Sequence, residues 1–328
     1  MIEQALSLGF LLSLIFTEFF GLASGGMIVP GYMALMLHQP SSVIVSILIA
    51  LVVYYLIRAL SNFVFLFGRR QIILCMLFGF ILSIPNHFLI QQWVIGDLII
   101  PLYPVGYIIP GLLAYWMVRN GVMQTISMML VAAILIRLTL ILMRGGETFP
   151  ELDYFVAISS KEVLMWIAIG IGILLNFAIG EEFFNLMAGG IVVPGYIAMT
   201  LHNAGAIGEV GTKLLSIVPT LLVAVLIYGV VRWGISQIAF IYGRRQMVIC
   251  ILLGFFFVHL MDAAPALALG SGTAGTELEL RVIGSIIPGL IAHWMLRRGL
   301  RTTLLLLVVV SILVRLCVVV IEELFFLI

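Results

Sequence analysis

GMIVPGYMA, from Gly26 to Ala34, is the stretch on which the fold turns, because the same phrase comes back three times. It returns as GYIIPGLLA at Gly106 to Ala114, GIVVPGYIA at Gly190 to Ala198 and GSIIPGLIA at Gly284 to Ala292. Each copy reads G-x-[IV]-[IV]-P-G-x-x-A. The proline lacks an N–H and drives the residue before it toward extended backbone, and the glycine after it tolerates φ values that other residues resist. A continuous helix breaks there. Proline is well placed in the first turn of a new helix, so each phrase predicts a short extended stretch and then a helix starting at Pro30, Pro110, Pro194 or Pro288.

The surroundings of these phrases are apolar. Of 328 residues, 63% are hydrophobic and 9% charged, with a mean hydropathy of +1.28. That leaves too little polar surface to coat a soluble globule, and the chain reads as a multi-spanning integral membrane protein. A net charge of +1 says nothing about partners by itself, the placement of the arginines matters more, and no nucleic-acid partner is expected. The cysteines at 75, 250 and 317 stand in apolar runs without paired spacing, which argues against a disulfide framework or a metal site. The run from Ala5 to Phe16 has no basic region before it and leads into the first phrase, so it is expected to be the first transmembrane helix.

Outward from the phrases the chain is a duplication. Glu18, Gly25-Gly26, Pro30-Gly31-Tyr32 and Leu37-His38 recur 164 residues later, from Glu182 to His202. Gly68-Arg69-Arg70-Gln71, Cys75 and Gly79 recur at an offset of 175, which implies an insertion near Gly205 to Lys213. Pro110-Gly111, Trp116, Arg119, Gly121, Thr125 and Arg137 recur at 178. The expected organisation is a first repeat over 1–143, a polar linker over 144–161 and a second repeat over 162–328. Within a repeat the apolar runs lie roughly at 4–22, 41–60, 71–90, 98–118 and 122–143, each near the ~20 residues that cross a bilayer. The fold class expected is an all-α integral membrane protein, a tandem-repeat bundle of about 8 to 10 spans with Pro-Gly-broken or re-entrant half-helices. The stretch from Pro30 to Leu37 is too short to span and reads as re-entrant, and the run holding Pro110 as a broken span or a second half-helix. Arg58, Arg69-Arg70 and Arg119 match Arg232, Arg244-Arg245 and Arg297, so these ends are expected in the cytoplasm. The like bias of the repeats favours parallel copies, whereas five spans per repeat would invert the second.

No Ser/His/Asp constellation, metal-ligand spacing or phosphate-binding G-x-x-x-x-G-K-[ST] loop occurs, so neither an enzyme nor a cofactor is expected. Arg137 and Arg315 stand inside apolar runs, where an arginine costs at least ~2.5 kcal/mol at a helix centre. Glu18 and Glu182 can pair with them, or the arginines can face an anion. Helix N-termini favour anions as well. Together these give a candidate anion path of Glu18, Gly26, Pro30, Gly31, Gly106, Pro110, Gly111, Arg137, Glu182, Gly190, Pro194, Gly195, Gly284, Pro288, Gly289 and Arg315. The Gly-Arg-Arg turns at Arg69, Arg70, Arg244 and Arg245 are topology anchors and candidate docking points for a soluble partner. Trp116 and Trp294 read as interfacial belt residues.

At these residues the chain resembles the PgsC/CapC membrane subunit of bacterial poly-γ-glutamate synthase. The resemblance rests on the acidic residue before the paired glycines, the V-P-G-Y phrase, the G-R-R turn and the distal P-G-L-I-A phrase, in that order. What it implies is a non-catalytic subunit of the bacterial cytoplasmic membrane that works with an ATP-dependent amide ligase and a membrane-anchored accessory subunit in making and exporting polyglutamate capsule. The usual subunit looks like one repeat, and a fused pair suggests homo-oligomers among single-repeat relatives. Two other readings stay open, a secondary transporter of a small anion and a structural anchor for the ligase.

Overall fold

The computed structural model describes residues 2–21, 24–89, 92–95, 98–101, 104–143, 160–178, 188–202, 207–238, 240–268 and 285–326. The chain divides into two compact units, Met1–Val156 and Ala157–Ile328. Among the described residues five helices are long and apolar enough to cross a membrane, namely Pro40–Leu60, Val122–Met143, Ile217–Ile235, Arg244–Met261 and Leu300–Ile321. The protein is an all-α membrane protein, with one small exception noted below.

The first unit contains α1 (Ile2–Phe20), α2 (Val29–Met36), α3 (Pro40–Leu60), α4 (Arg69–Leu89), α5 (Ile109–Asn120) and α6 (Val122–Met143). Between α4 and α5 a two-stranded antiparallel hairpin pairs Gln92–Ile95 with Leu98–Pro101. The apolar run beginning near residue 98 was expected to be helical from its start. Instead its first residues make this hairpin, and helix begins only at the second phrase. Proline starts α2, α3 and α5, where its missing N–H leaves no intrahelical bond unmade. A single residue, Gly121, separates α5 from α6 at φ +91°, a turn that a side chain would strain.

Close contacts fix the direction of each segment. Ser13 Oγ donates to the Gly26 carbonyl at 3.1 Å, and five residues later Gly31 lies on Ala5, Leu6 and Gly9. Residues 24–36 therefore retrace α1 in the opposite sense, first as irregular chain and then as the half-helix α2. The first phrase was expected to be re-entrant; instead it runs back along α1 from Ser13 to Ala5 as a segment broken at proline, because Gly26 and Gly31 contact successive turns of that helix. The second behaves alike: the Val105 N–H donates to Ser46 Oγ of α3 at 2.7 Å, and Gly111 then lies on Cys75, Met76 and Gly79 of α4. Tyr54, Arg58 and Ser61 at the end of α3, Gln71 at the start of α4 and Val118 near the end of α5 line one cavity of about 320 Å³, so these ends meet. Six segments that alternate in direction result in the unit.

These six segments form two matching triplets that run in opposite directions. α2 packs on α1 and on α6, and α5 packs on α4 and on α3, so each half-helix is seated against the third helix of the other triplet. Val29, Met33, Leu113, Met129, Ala133 and Ile136 belong to the buried cluster this creates. Outward residues such as Ile44, Leu48, Val52, Ile134 and Leu138 are exposed and apolar, as lipid-facing surfaces require.

The second unit repeats the plan with α7 (Ser160–Leu175), α8 (Val193–His202), α9 (Ile207–Gly229), α10 (Arg244–Ala268), α11 (Ile287–Arg298) and α12 (Leu300–Phe326). α8 packs on α7 and α12, and α11 on α10 and α9. Two π-helical stretches distinguish it. One, at Asn176–Ala178, follows α7, and the other, Val230–Ile235, extends α9. Each absorbs one extra residue. Gly9 and Gly172 are 163 apart while Gly31 and Gly195 are 164 apart; Arg58 and Arg232 are 174 apart while Gly68 and Gly243 are 175 apart. The insertion assigned to Gly205 to Lys213 thus accounts for all but one residue of the offset of 175, and the last is wound into α9.

Candidate functional site at the half-helix crossings

The phrase works locally through its glycines. Gly25, Gly26, Gly189 and Gly190 have φ of +78°, +113°, +70° and +130°, values that let the chain reverse without a side-chain penalty. The residues before the half-helices, Ile28, Ile108 and Ile286, supply no side-chain cap. Proline compensates in part, since it removes one of the four donors that every helix start leaves unpaired.

The glycine after each proline has a different task. A Cβ on Gly111 would sit 2.5 Å from the Cys75 carbonyl oxygen, and one on Gly289 would sit 2.6 Å from that of Cys250. For Gly31 and Gly195 the nearest atoms are the Ala5 carbonyl oxygen at 3.0 Å and Ile169 Cα at 2.7 Å. All four half-helices therefore cross a long helix backbone to backbone. Facing glycines complete all four crossings: Gly9 meets Gly31, Gly79 meets Gly111, Gly172 meets Gly195 and, less tightly, Gly254 meets Gly289. Such contacts replace the hydrophobic drive that lipid does not provide.

Polar side chains hold the reversal. Ser13 donates to Gly26 and accepts from Ser24 Oγ at 3.1 Å. In the second unit Asn176 takes this place, donating to the Gly190 carbonyl at 2.6 Å and accepting from the Ala188 N–H at 3.1 Å. Both residues are buried, and neither was singled out in the sequence. The offset of 163 hid their equivalence.

The predicted path residues distribute unevenly. Ile136 touches the Gly9–Gly31 crossing, so Arg137 stands at the level of the first phrase. Pro110-Gly111 instead lie level with Cys75 to Gly79, nearer the arginine-bearing end. Glu18 is nine residues beyond Gly9 along α1, about 13 Å of helical rise from the level of Arg137. Arg315 repeats the place of Arg137 in α12. Glu182 and Gly284 lie outside the described residues.

Arg69-Arg70 and Arg244-Arg245 open α4 and α10 directly after glycines at φ +63° and +66°. The chain before each turn is strongly exposed and aromatic, with Phe63, Phe65 and Phe67 in the first unit and Phe240 and Tyr242 in the second. Trp116 and Trp294 do more than mark an interface. Their indole Nε1 atoms sit 3.0 and 3.8 Å from where a Cβ on Gly26 and Gly190 would be, while Arg119 and Arg297 lie over the same rings at 5.6 and 5.4 Å. Each tryptophan thus connects a phrase glycine to the arginine-bearing end. Among the described residues no group of three histidines, cysteines or acidic residues is placed to hold a metal.

A family model described as capsule biosynthesis CapC matches the chain twice, at residues 8–126 and 171–304. The PGA biosynthesis protein CapC of Bacillus subtilis (strain 168) is 36% identical over 122 residues, which cover 37% of this chain and 80% of that protein. The capsule biosynthesis protein CapC of Bacillus anthracis is 34% identical over 132 residues, covering 38% of this chain and 82% of that protein. Each relative therefore corresponds to about one unit. No solved structure matches.

Proposed function

Because the chain belongs to the CapC capsule-biosynthesis family and carries its unit twice, we propose that it is the non-catalytic membrane subunit of a bacterial poly-γ-glutamate synthesis and export complex, acting as scaffold and conduit for the polymer. The observation that carries this reading is the pair of broken passes in each unit. Both half-helices start inside the bundle, where their dipoles favour carboxylates, and a polymer with one carboxylate per residue needs such help to cross hydrocarbon. The ATP-dependent ligase works on the cytoplasmic side of the bacterial inner membrane. It docks at the exposed aromatic stretches and the Gly-Arg-Arg turns, whose guanidinium groups can pair bidentately with carboxylates. A membrane-anchored accessory subunit completes the complex.

A second reading, secondary transport of a small anion, draws support from the opposed triplets, since inverted repeats with broken helices at the substrate level recur in such transporters. Deletion followed by complementation separates the two. Loss of cell-bound and released polymer with unchanged glutamate uptake supports the proposal; normal polymer with altered uptake of a small anion supports the alternative.

A further inference from the structure

The two units are not equivalent inside. In α12 of the second unit Ser311 is 2% exposed, and its hydroxyl has no hydrogen-bond partner among the described residues. Ser42, near the start of α3, shares this state, whereas Ser46, Ser83, Thr125 and Thr303 each donate to the carbonyl four residues back. One turn beyond Ser311, Arg315 carries a buried Nη1 that also lacks a partner among the described residues. At a spacing of four the two side chains share a helix face, and both lean toward the N-terminus of α12.

What that face meets is the start of α8. Leu307, one turn before Ser311, is 3.3 Å from where a Cβ on Gly189 would be, and Val193, the first residue of α8, shares a buried cluster with Val310 and Val314. The N-terminus of a ten-residue helix therefore lies on α12 at the level of an unpaired hydroxyl and an unpaired guanidinium N–H. An unpaired hydroxyl and an unpaired guanidinium N–H thus stand one turn apart on the helix against which α8 packs, and leaving them unpaired in an apolar body is costly. In the first unit the place of Ser311 is taken by Ala133, which is fully buried, so the hydroxyl belongs to the second unit alone.

We propose that Ser311, Arg315 and the N-terminus of α8 form a carboxylate-binding site, and that it receives a carboxylate of the γ-glutamyl chain. A hydroxyl and one face of a guanidinium suit the two oxygens of a carboxylate, and the helix dipole adds to both. The identity of the ligand rests on the function proposed above; the site itself rests only on the geometry. One unit then grips the polymer at this depth while the other lets it pass.

The test uses the full chain in nanodiscs, titrated by calorimetry with a γ-glutamyl oligomer and, separately, with inorganic phosphate. In zwitterionic lipid the oligomer binds to wild type, Ser311→Ala weakens it about three- to tenfold, and Arg315→Gln weakens it more than tenfold. Arg315→Lys keeps the charge without the planar fork and should fall between. Unliganded melting confirms that each variant is folded, and Ser311→Ala carries the test if Arg315→Gln fails to insert. Wild-type affinity in Ser311→Ala and in any folded Arg315 variant overturns the site. So does an effect of Arg315→Gln that occurs only in discs of anionic lipid, which would assign the guanidinium to a headgroup phosphate. Failure of the function itself looks different: capsule yield would be unchanged on deleting the gene. Phosphate binding at Ser311 and Arg315 without oligomer binding would overturn the ligand proposed.

Discussion

Replacing Gly111 with alanine tests whether the half-helices cross their neighbours backbone to backbone. A methyl there would lie 2.5 Å from the Cys75 carbonyl oxygen and 2.6 Å from Met76 Cα. Ordinary contact begins near 3.4 Å, so α4 and α5 must part by about 0.9 Å, and because both obstacles are main chain, no rotamer change relieves them. Overpacking of this kind costs typically ~1–3 kcal/mol, and the separation also weakens contacts along the rest of the crossing. Alanine returns up to about 1 kcal/mol through helix propensity. The net expectation is a loss of about 1–3 kcal/mol, or several degrees at roughly 2–4 °C per kcal/mol. Gly289→Ala should act alike, since its methyl would meet Cys250 and Ile251 at 2.6 Å. Gly229→Ala is the control: it lies in helix, and its methyl would meet only the Trp233 ring at 3.5 Å, so stability should hold or rise by up to about 1 kcal/mol. Thermal unfolding followed by tryptophan fluorescence reads all three. Gly111→Ala and Gly289→Ala melting at or above wild type would refute the backbone crossing.

Three further outcomes are expected. Asn176→Ala should destabilise more than Ser13→Ala, about 2–3 against about 1 kcal/mol, because it strands a fixed backbone donor, the Ala188 N–H, as well as the Gly190 carbonyl, whereas the Ser24 hydroxyl that loses Ser13 can rotate; equal losses in a denaturation series would remove the role given to Asn176. Cysteines placed at Gln71 and at Gln246 should react with an impermeant maleimide only after the cells are opened, and labelling of either in intact cells would contradict a cytoplasmic arginine-bearing end in that unit. A Pro30→Ala, Pro194→Ala variant should insert and melt no lower than wild type yet make or export no polymer, since each broken segment gains helix at the expense of its inward N-terminus; normal capsule from a well-expressed double variant would reduce the phrase to a packing device.

The broken helices were legible because proline and glycine act on their own backbone, and the duplication was legible because identical residues repeat at fixed offsets. The direction of each half-helix was not. It depends on Gly31 meeting Gly9 and Gly111 meeting Gly79, contacts between residues 22 and 32 positions apart that no local pattern announces. Nor could the count of passes be read, because a run broken by proline can return or continue with the same hydropathy. Of the candidate site, Arg137 and Arg315 stood out by their cost in an apolar run, whereas Ser311 did not, since a lone serine in a helix usually bonds its own backbone. Ser13 and Asn176 escaped because a π-helical residue shifts one against the other.

The exchange of third helices also constrains how the protein is made. When α2 leaves the ribosome its second seat, α6, has not been synthesised, and about ninety residues separate their starts. At ~5–20 residues per second the half-helix waits roughly 5–20 s in the membrane or its insertion machinery, with a broken backbone and only α1 beside it. Neither triplet has a complete set of neighbours before the last helix of its unit arrives, so the unit closes late and all at once. A nascent chain halted between Gly121 and Met143 should therefore be a substrate for membrane proteolysis, and the second unit sets the same delay running again.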